Sequence, residues 1–167
     1  MRTLLVGLRA LTFMSGFVFF WGWIALGLRP MDRLVGGLPQ WTEVPGAALM
    51  AVGGSLALWC AGAFVALGRG TPAPFDAPRQ FVAAGPYRYV RNPMYLGGFA
   101  VLIGFGLYLH SGAILVLAPP WFLAAHLFVV GYEEPTLREK FGDTYEKYCK
   151  AVARWRPGSP LQDRRLG

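Results

Sequence analysis

The stretch GPYRYVRNPMYLGG, residues 85–98, places two arginines and an Asn-Pro pair directly before apolar sequence of membrane-spanning length. Asn92 can cap a helix with its side-chain oxygen, and Pro93 suits the first helical position, where the N–H that it lacks would be unpaired. A helix is therefore predicted to begin at Pro93. Its N-terminus, beside Arg91, would suit an anion such as a carboxylate. The alternative is a plain helix start flanked by basic residues that mark topology.

The composition around this stretch indicates a small integral membrane protein. Of the 167 residues, 54% are hydrophobic and 15% are charged, whereas about a quarter are charged in soluble domains. The net charge of +7 would suit nucleic acid in a soluble chain. Because the basic residues here flank apolar segments, nucleic-acid binding is disfavoured. The two cysteines, Cys60 and Cys149, indicate packing rather than a disulfide framework, and no metal site is predicted.

Four apolar blocks approach the ~20 residues that cross a bilayer. They are Ala10–Leu28, Pro45–Leu67, Pro93–Leu109 and Gly112–Tyr132. The first block is longer than the apolar core of a signal peptide, so we expect it to be retained as a span. The fourth contains Pro119-Pro120, which should kink or break its helix. The prediction is an all-α polytopic bundle of about four transmembrane helices.

The basic residues give the expected orientation. The two termini and the loop at 68–92 carry all Lys and Arg residues except Arg29 and Arg33. The positive-inside rule therefore predicts cytoplasmic termini and a cytoplasmic loop. After Tyr132, apolar residues recur every three or four positions and predict an amphipathic C-terminal helix. These residues are Leu137, Phe141, Tyr145, Tyr148 and Val152.

Two adjacent carboxylates, Glu133 and Glu134, follow the fourth block. The turn before Gly112 is short, so the third and fourth blocks should form an antiparallel hairpin that brings Arg91 and Asn92 to these glutamates. The carboxylates need a cation, which could be Arg91, a lysine of the tail or a positively charged ligand. Alternatively, they begin a solvated tail helix.

At this point the chain resembles the isoprenylcysteine carboxyl methyltransferase and phospholipid methyltransferase superfamily of integral membrane enzymes. The resemblance rests on GPYRYVRNPMYLGG and on EEPTLREKFGDTYEKYCKAVARWRP some forty residues later, and it covers about Arg79 to Pro157. It implies S-adenosylmethionine as the cofactor, bound at the membrane face between the last two spans and the tail, which the charge distribution places on the cytoplasmic side. The chain would then be a single domain, 1–167, with a two-span part (1–67) and a cofactor-binding catalytic part (68–167).

The resemblance also implies a set of cofactor contacts. They are Arg79, Gln80, Phe81, Val82, Tyr87, Arg91, Asn92, Pro93, Met94, Tyr95 and Glu133. The chemistry of the groups agrees with this. The helix N-terminus and Arg91 suit the carboxylate of S-adenosylmethionine, Glu133 suits its ammonium group or ribose hydroxyls, and Phe81 or Tyr87 could stack on adenine.

Two positions depart from the family pattern. Asn92 stands where the family often has His, so a titrating imidazole is missing there. Val129 stands where isoprenylcysteine methyltransferases have an arginine for the substrate carboxylate, which leaves a lipid amine, a hydroxyl, a thiol or another amphiphile open as acceptor. Glu134 is the candidate for removing an amine proton or orienting the nucleophile. Arg154 could contact an anionic headgroup or mark topology.

The predicted function is methyl transfer from S-adenosylmethionine to a lipophilic acceptor at the cytoplasmic membrane face. The acceptor would be a lipid, a prenyl compound or an amphiphilic small molecule, membrane lipids are expected partners, and the oligomeric state is left open. His126, seven residues before Glu133, could face the site, but a packing role is preferred. One alternative is a nicotinamide-dependent reductase of the sterol-reductase type, for which 167 residues are few. The other is a non-catalytic membrane assembly or sensor protein, against which the presence of both Glu133 and Tyr95 argues.

Overall fold

The computed structural model of the chain describes residues 2–68 and 81–160, and these ranges are helical with no strand. The helices are α1 (Arg2–Leu28), α2 (Asp32–Val35), α3 (Glu43–Ala63), α4 (Pro93–Tyr108), α5 (Gly112–Phe128) and α6 (Glu134–Ala151). A π-helical turn, Phe64–Gly68, extends α3, and another, Val129–Glu133, joins α5 to α6. The all-α prediction is confirmed.

Three helical segments are long and apolar enough to cross a membrane. They are Gly7–Val35, Gln40–Leu67 and Gly112–Ala151. The third predicted span is the shorter apolar helix α4, whose 16 residues rise about 24 Å at ~1.5 Å per residue. That length falls short of the ~30 Å hydrocarbon layer. The expected break at Pro119-Pro120 is wrong, because α5 continues through both prolines and leads without interruption into α6.

Helices α3 and α4 pack against each other through facing glycines. A Cβ atom placed on Gly53 would lie 2.6 Å from the carbonyl oxygen of Gly97, and one on Gly104 would lie 2.7 Å from that of Gly46. Small residues let two backbones approach this closely, which is how helices associate inside a bilayer. This contact fixes α4, whose N-terminus carries the candidate site.

The polypeptide between α4 and α5 forms the short turn that the sequence predicts. Ser111 caps α5, since its hydroxyl accepts a hydrogen bond from the backbone N–H of Ile114 at 3.3 Å. Asp32, at the start of α2, accepts from the Ser111 hydroxyl at 2.9 Å and from the Ala113 N–H at 2.8 Å. The antiparallel hairpin therefore brings the start of α4 and the end of α5 to one end of the bundle.

The amphipathic tail helix is also confirmed. Tyr145, Tyr148 and Val152 are buried together, and Phe81, Leu137 and Phe141 pack against them. The backbone of α6 bends at Gly142, whose φ of 51° is a left-handed conformation that favours glycine. The tail thus folds back over the end of the bundle where α4 begins.

Candidate functional site

The site lies where the N-terminus of α4 meets the π-helical turn after α5. The Tyr95 hydroxyl donates a hydrogen bond to Glu133 Oε2 at 2.9 Å, and Arg91 Nη1 lies 3.3 Å from Glu134 Oε1. The meeting of the two half-motifs expected from the sequence is therefore observed. Tyr95 contacts Glu133 and Arg91 contacts Glu134, whereas Asn92 contacts neither glutamate among the described contacts.

Glu134 is the centre of an arginine cluster. Its side chain is only 3% exposed, and Arg154 holds it with two hydrogen bonds, Nε to Oε1 at 2.7 Å and Nη2 to Oε2 at 2.9 Å. Arg138 Nη2 adds a contact at 3.4 Å. Three guanidinium groups stabilise the charged form of this carboxylate, so it is poorly suited to accept a proton. These contacts disfavour Glu134 as a base, and its predicted role in removing a proton or orienting the nucleophile stays a prediction.

The Arg154 guanidinium pairs with the buried carboxylate of Glu134, while 29% of the Arg154 side chain remains exposed. The hydrogen bond to Glu134 raises the pKa of the Arg154 guanidinium above its already high value. The backbone carbonyl of the same residue accepts a hydrogen bond from Asn92 Nδ2 at 3.2 Å. Arg154 therefore ties the C-terminal segment to the start of α4, and its expected contact with an anionic headgroup finds no support in this geometry.

Arg91 retains an unpaired donor. Its Nη1 donates to Cys149 Sγ at 2.6 Å and pairs with Glu134, but its Nε is buried and has no hydrogen-bond partner within the described ranges. Cys149 is thus a polar partner as well as a packing residue. A buried unpaired donor is costly unless a ligand or ordered water satisfies it.

The N-terminus of α4 is also left uncapped. Pro93 occupies the first helical position as predicted, and Asn92 occupies the N-cap position. The expectation that the Asn92 side chain caps the helix is wrong, because it accepts no hydrogen bond from the first turn and instead contacts Arg154. The first N–H groups of a helix have no intrahelical partner, so those of Met94 and Tyr95 are not used within α4.

The aromatic residues of the predicted site are used in packing. Phe81 contacts the ring of Tyr148 at a centroid distance of 5.0 Å. Tyr87 is buried beside Val82 and Cys60, and burial raises the pKa of its phenol. The two rings thus belong to separate hydrophobic clusters, and stacking of either one on adenine stays a prediction. Arg79 and Gln80 lie outside the described residues.

Two residues that sequence reasoning did not place in the site adjoin it. Trp155 Nε1 donates a hydrogen bond to His126 Nδ1 at 2.9 Å, and the Trp155 ring meets that of Tyr95 at 6.3 Å. For His126, the sequence signal was its spacing of seven residues from Glu133, which places both residues on one face of a helix. Trp155 gave none, because nothing in the local pattern shows that the C-terminal segment returns to α5. Val129 is fully buried.

The family model for phospholipid methyltransferases matches residues 41–144. This range is more than half of the chain, so the chain belongs to the phospholipid methyltransferase family, a class of membrane methyltransferases. The matched range contains Arg91, Tyr95, Glu133 and Glu134 and ends before Arg154. No curated protein and no solved structure matches the chain at a significant level.

Proposed function

We propose that the protein transfers a methyl group from S-adenosylmethionine to a lipophilic acceptor at the cytoplasmic face of a membrane. The observation that carries the proposal is the set of unmet polar groups at one end of the bundle. Arg91 keeps a buried unpaired Nε, the α4 N-terminus is uncapped, and Glu133 has no ion-pair partner among the described residues. The cytoplasmic placement rests on the distribution of basic residues.

These groups fit the amino-acid end of S-adenosylmethionine. A carboxylate would satisfy Arg91 Nε and the N–H groups that begin α4, where the helix dipole also favours negative charge. An ammonium group or a ribose hydroxyl would pair with Glu133, whose Oε2 is already oriented by the Tyr95 hydroxyl at 2.9 Å. Met94, Phe81 and Val82 remain the proposed apolar neighbours of the site.

When bound, S-adenosylmethionine supplies a methyl group on a cationic sulfonium, so the protein mainly has to hold a nucleophile in line with it. Arg91 and Glu133 are the proposed binding residues. Glu134 positions Arg91 through the contact at 3.3 Å, and Arg154 in turn fixes Glu134. In this assignment Glu134 and Arg154 are positioning residues rather than proton carriers.

The test is calorimetric titration of the protein in lipid nanodiscs with S-adenosylhomocysteine. We expect saturable binding, weakened at least about tenfold by Glu133→Gln, because hydrogen bonds to a charged group contribute ~1.5–3 kcal/mol. Tyr95→Ala should weaken binding through disorder of Glu133. The matched control is Glu139→Gln, since Glu139 is an exposed glutamate on α6. Absence of binding by folded wild-type protein would refute the proposal.

A further inference from the structure

The C-terminal segment, from Ala153 to Gly158, crosses the start of α4 and is tied to it through its backbone. The Ala153 carbonyl oxygen accepts a hydrogen bond from the Arg91 N–H at 2.9 Å, and the Gly158 N–H donates to the Tyr89 carbonyl at 3.0 Å. These two bonds flank Trp155 and involve no side chain. The path of the segment is therefore held by backbone contacts, and the Trp155 indole can be altered without releasing it.

The indole ring of Trp155 lies between α4 and α5. Its centroid is 6.3 Å from that of Tyr95 on α4, at an interplanar angle of 79°, and 4.8 Å from that of Phe122 on α5. Edge-to-face contacts of this kind are favourable, so they restrict the rotation of the rings involved. Trp155 thus contacts the side chain that orients Glu133, since the Tyr95 hydroxyl donates to Glu133 Oε2 at 2.9 Å.

A hydrogen bond to His126 on α5 fixes the rotation of the indole. Trp155 Nε1 lies 2.9 Å from His126 Nδ1, and because an indole N–H only donates, Nδ1 must accept. The imidazole is then neutral, with its proton on Nε2. The indole is therefore oriented by α5 while its ring contacts Tyr95 on α4.

We propose that Trp155, oriented by His126, is a positioning residue of the site, because it holds the Tyr95 ring where the hydroxyl reaches Glu133. The inference rests on the proposed function and adds two residues to its binding machinery. Trp155 lies beyond the range 41–144 that the family model matches. In this assignment neither Trp155 nor His126 contacts the cofactor or takes part in the methyl transfer.

The first test is a double-mutant cycle, read by calorimetric titration with S-adenosylhomocysteine in nanodiscs. Trp155→Phe keeps an aromatic ring but removes the N–H, and it should lower the affinity about fivefold, the effect of one lost hydrogen bond. In the Tyr95→Phe background the same change should have no further effect, because Trp155 acts through the Tyr95 hydroxyl. Equal losses in both backgrounds would overturn the proposal. Trp41→Phe is the matched control, since Trp41 is 73% exposed at the other end of the bundle.

Two substitutions of His126 separate positioning from packing. Asparagine carries its side-chain oxygen on Cγ, where histidine carries Nδ1, so His126→Asn keeps an acceptor for the Trp155 N–H. His126→Leu occupies similar space without an acceptor. The Leu variant should bind S-adenosylhomocysteine about fivefold more weakly, whereas the Asn variant should stay within about twofold of wild type. A role in packing alone predicts the opposite order, because leucine suits an apolar surrounding better than asparagine does.

A measurement without cofactor distinguishes this proposal from the proposed function. Fluorine NMR of protein with a fluorotyrosine in place of Tyr95, recorded in detergent micelles, reports the setting of that ring directly. We expect the wild-type spectrum for His126→Asn and a shifted or broadened resonance for His126→Leu. An unchanged spectrum in His126→Leu would overturn the positioning role whether or not the cofactor binds. The expected spectra together with no binding of S-adenosylhomocysteine by the wild type would refute the methyltransferase function alone.

Discussion

The two ends of the bundle both carry polar residues, but they differ in how these residues are paired. At the turn end, defined by Asp32, Thr42 and Ser111, the side chains are satisfied within the protein. Thr42 Oγ1 donates to the Leu107 carbonyl at 2.9 Å, and Ser111 bridges Asp32 and the start of α5. At the site end, defined by Arg91, Tyr95 and Glu133, a buried donor has no partner among residues 2–68 and 81–160, and no side chain there caps α4.

This difference separates structural polar groups from groups that await a ligand. Buried polar groups in proteins are nearly always paired, so an unpaired one requires an explanation. The turn end needs none, because its hydrogen bonds close the α4–α5 hairpin. The site end combines positive charge with a half-buried carboxylate, which suits a ligand that carries both charges. Substitutions at the turn end should therefore change stability alone, and those at Tyr95 or Glu133 should change binding.

The largest loss of stability is expected at Glu134, because this carboxylate both stabilises the fold and positions Arg91 in the site. Glu134→Gln removes the anion shared by Arg91 and Arg154 and leaves their charges uncompensated in a buried setting. Breaking a buried ion pair costs ~3–5 kcal/mol, and we expect a loss near the lower bound, about 3 kcal/mol. Unfolding in mixed micelles, followed by tryptophan fluorescence, measures the change.

Glu139→Gln is the control for this prediction, because it makes the same chemical change at an exposed position of the same helix. Equal stability of the two variants would show that the arginine cluster contributes little. The site end would then owe its geometry to apolar packing alone.

The second prediction concerns the packing of α3 on α4 through facing glycines. Gly53→Ala should destabilise the protein by about 2 kcal/mol, because the new Cβ would meet the Gly97 carbonyl oxygen at 2.6 Å and overpacking costs ~1–3 kcal/mol. Gly54→Ala is the matched control, since no atom lies within 4 Å of a Cβ there. Similar unfolding curves for the two variants would contradict the close packing of α3 on α4.

The hairpin, the start of α4 at Pro93 and the apolar face of the tail were predictable from the sequence. Each depends on a local signal, such as a short turn, a proline at the first helical position or a regular spacing of apolar residues. These signals also predicted that Arg91 would approach the two glutamates. They fixed the end of the bundle at which the site lies.

The pairing within the site was not predictable, because it depends on contacts between distant residues. Arg154 contacts Glu134 because the tail folds back over the bundle. The Arg154 backbone carbonyl then accepts a hydrogen bond from the Asn92 side chain, which does not cap α4. The π-helical turn at Val129–Glu133 has no recognisable local signal either. Of the kink or break expected at Pro119-Pro120, only the break is wrong, since a helix can continue through prolines in an apolar segment.

The third prediction tests whether a substitution at the turn end changes stability without changing ligand binding. Thr42→Val keeps the shape of a buried side chain but removes the hydroxyl, which lies 2.8 Å from the Pro39 carbonyl oxygen and 2.9 Å from that of Leu107 at the end of α4. The lost hydrogen bond should cost about 1 kcal/mol, because the Leu107 carbonyl still accepts from the His110 N–H at 3.2 Å. Affinity for S-adenosylhomocysteine, measured by calorimetry, should not change. Weaker binding by this variant would show that the two ends are coupled.

The smallest effect is expected from Tyr95→Phe at the site end. This change removes only the hydroxyl that donates to Glu133 Oε2 at 2.9 Å, and it keeps the ring that contacts Trp155. Stability should change by less than about 1 kcal/mol, because a half-buried carboxylate can turn to water. Affinity for S-adenosylhomocysteine should fall about fivefold, since Glu133 loses its fixed orientation. Unchanged affinity together with lowered stability would assign the Tyr95–Glu133 pair to structure, and the two ends of the bundle would then no longer differ in kind.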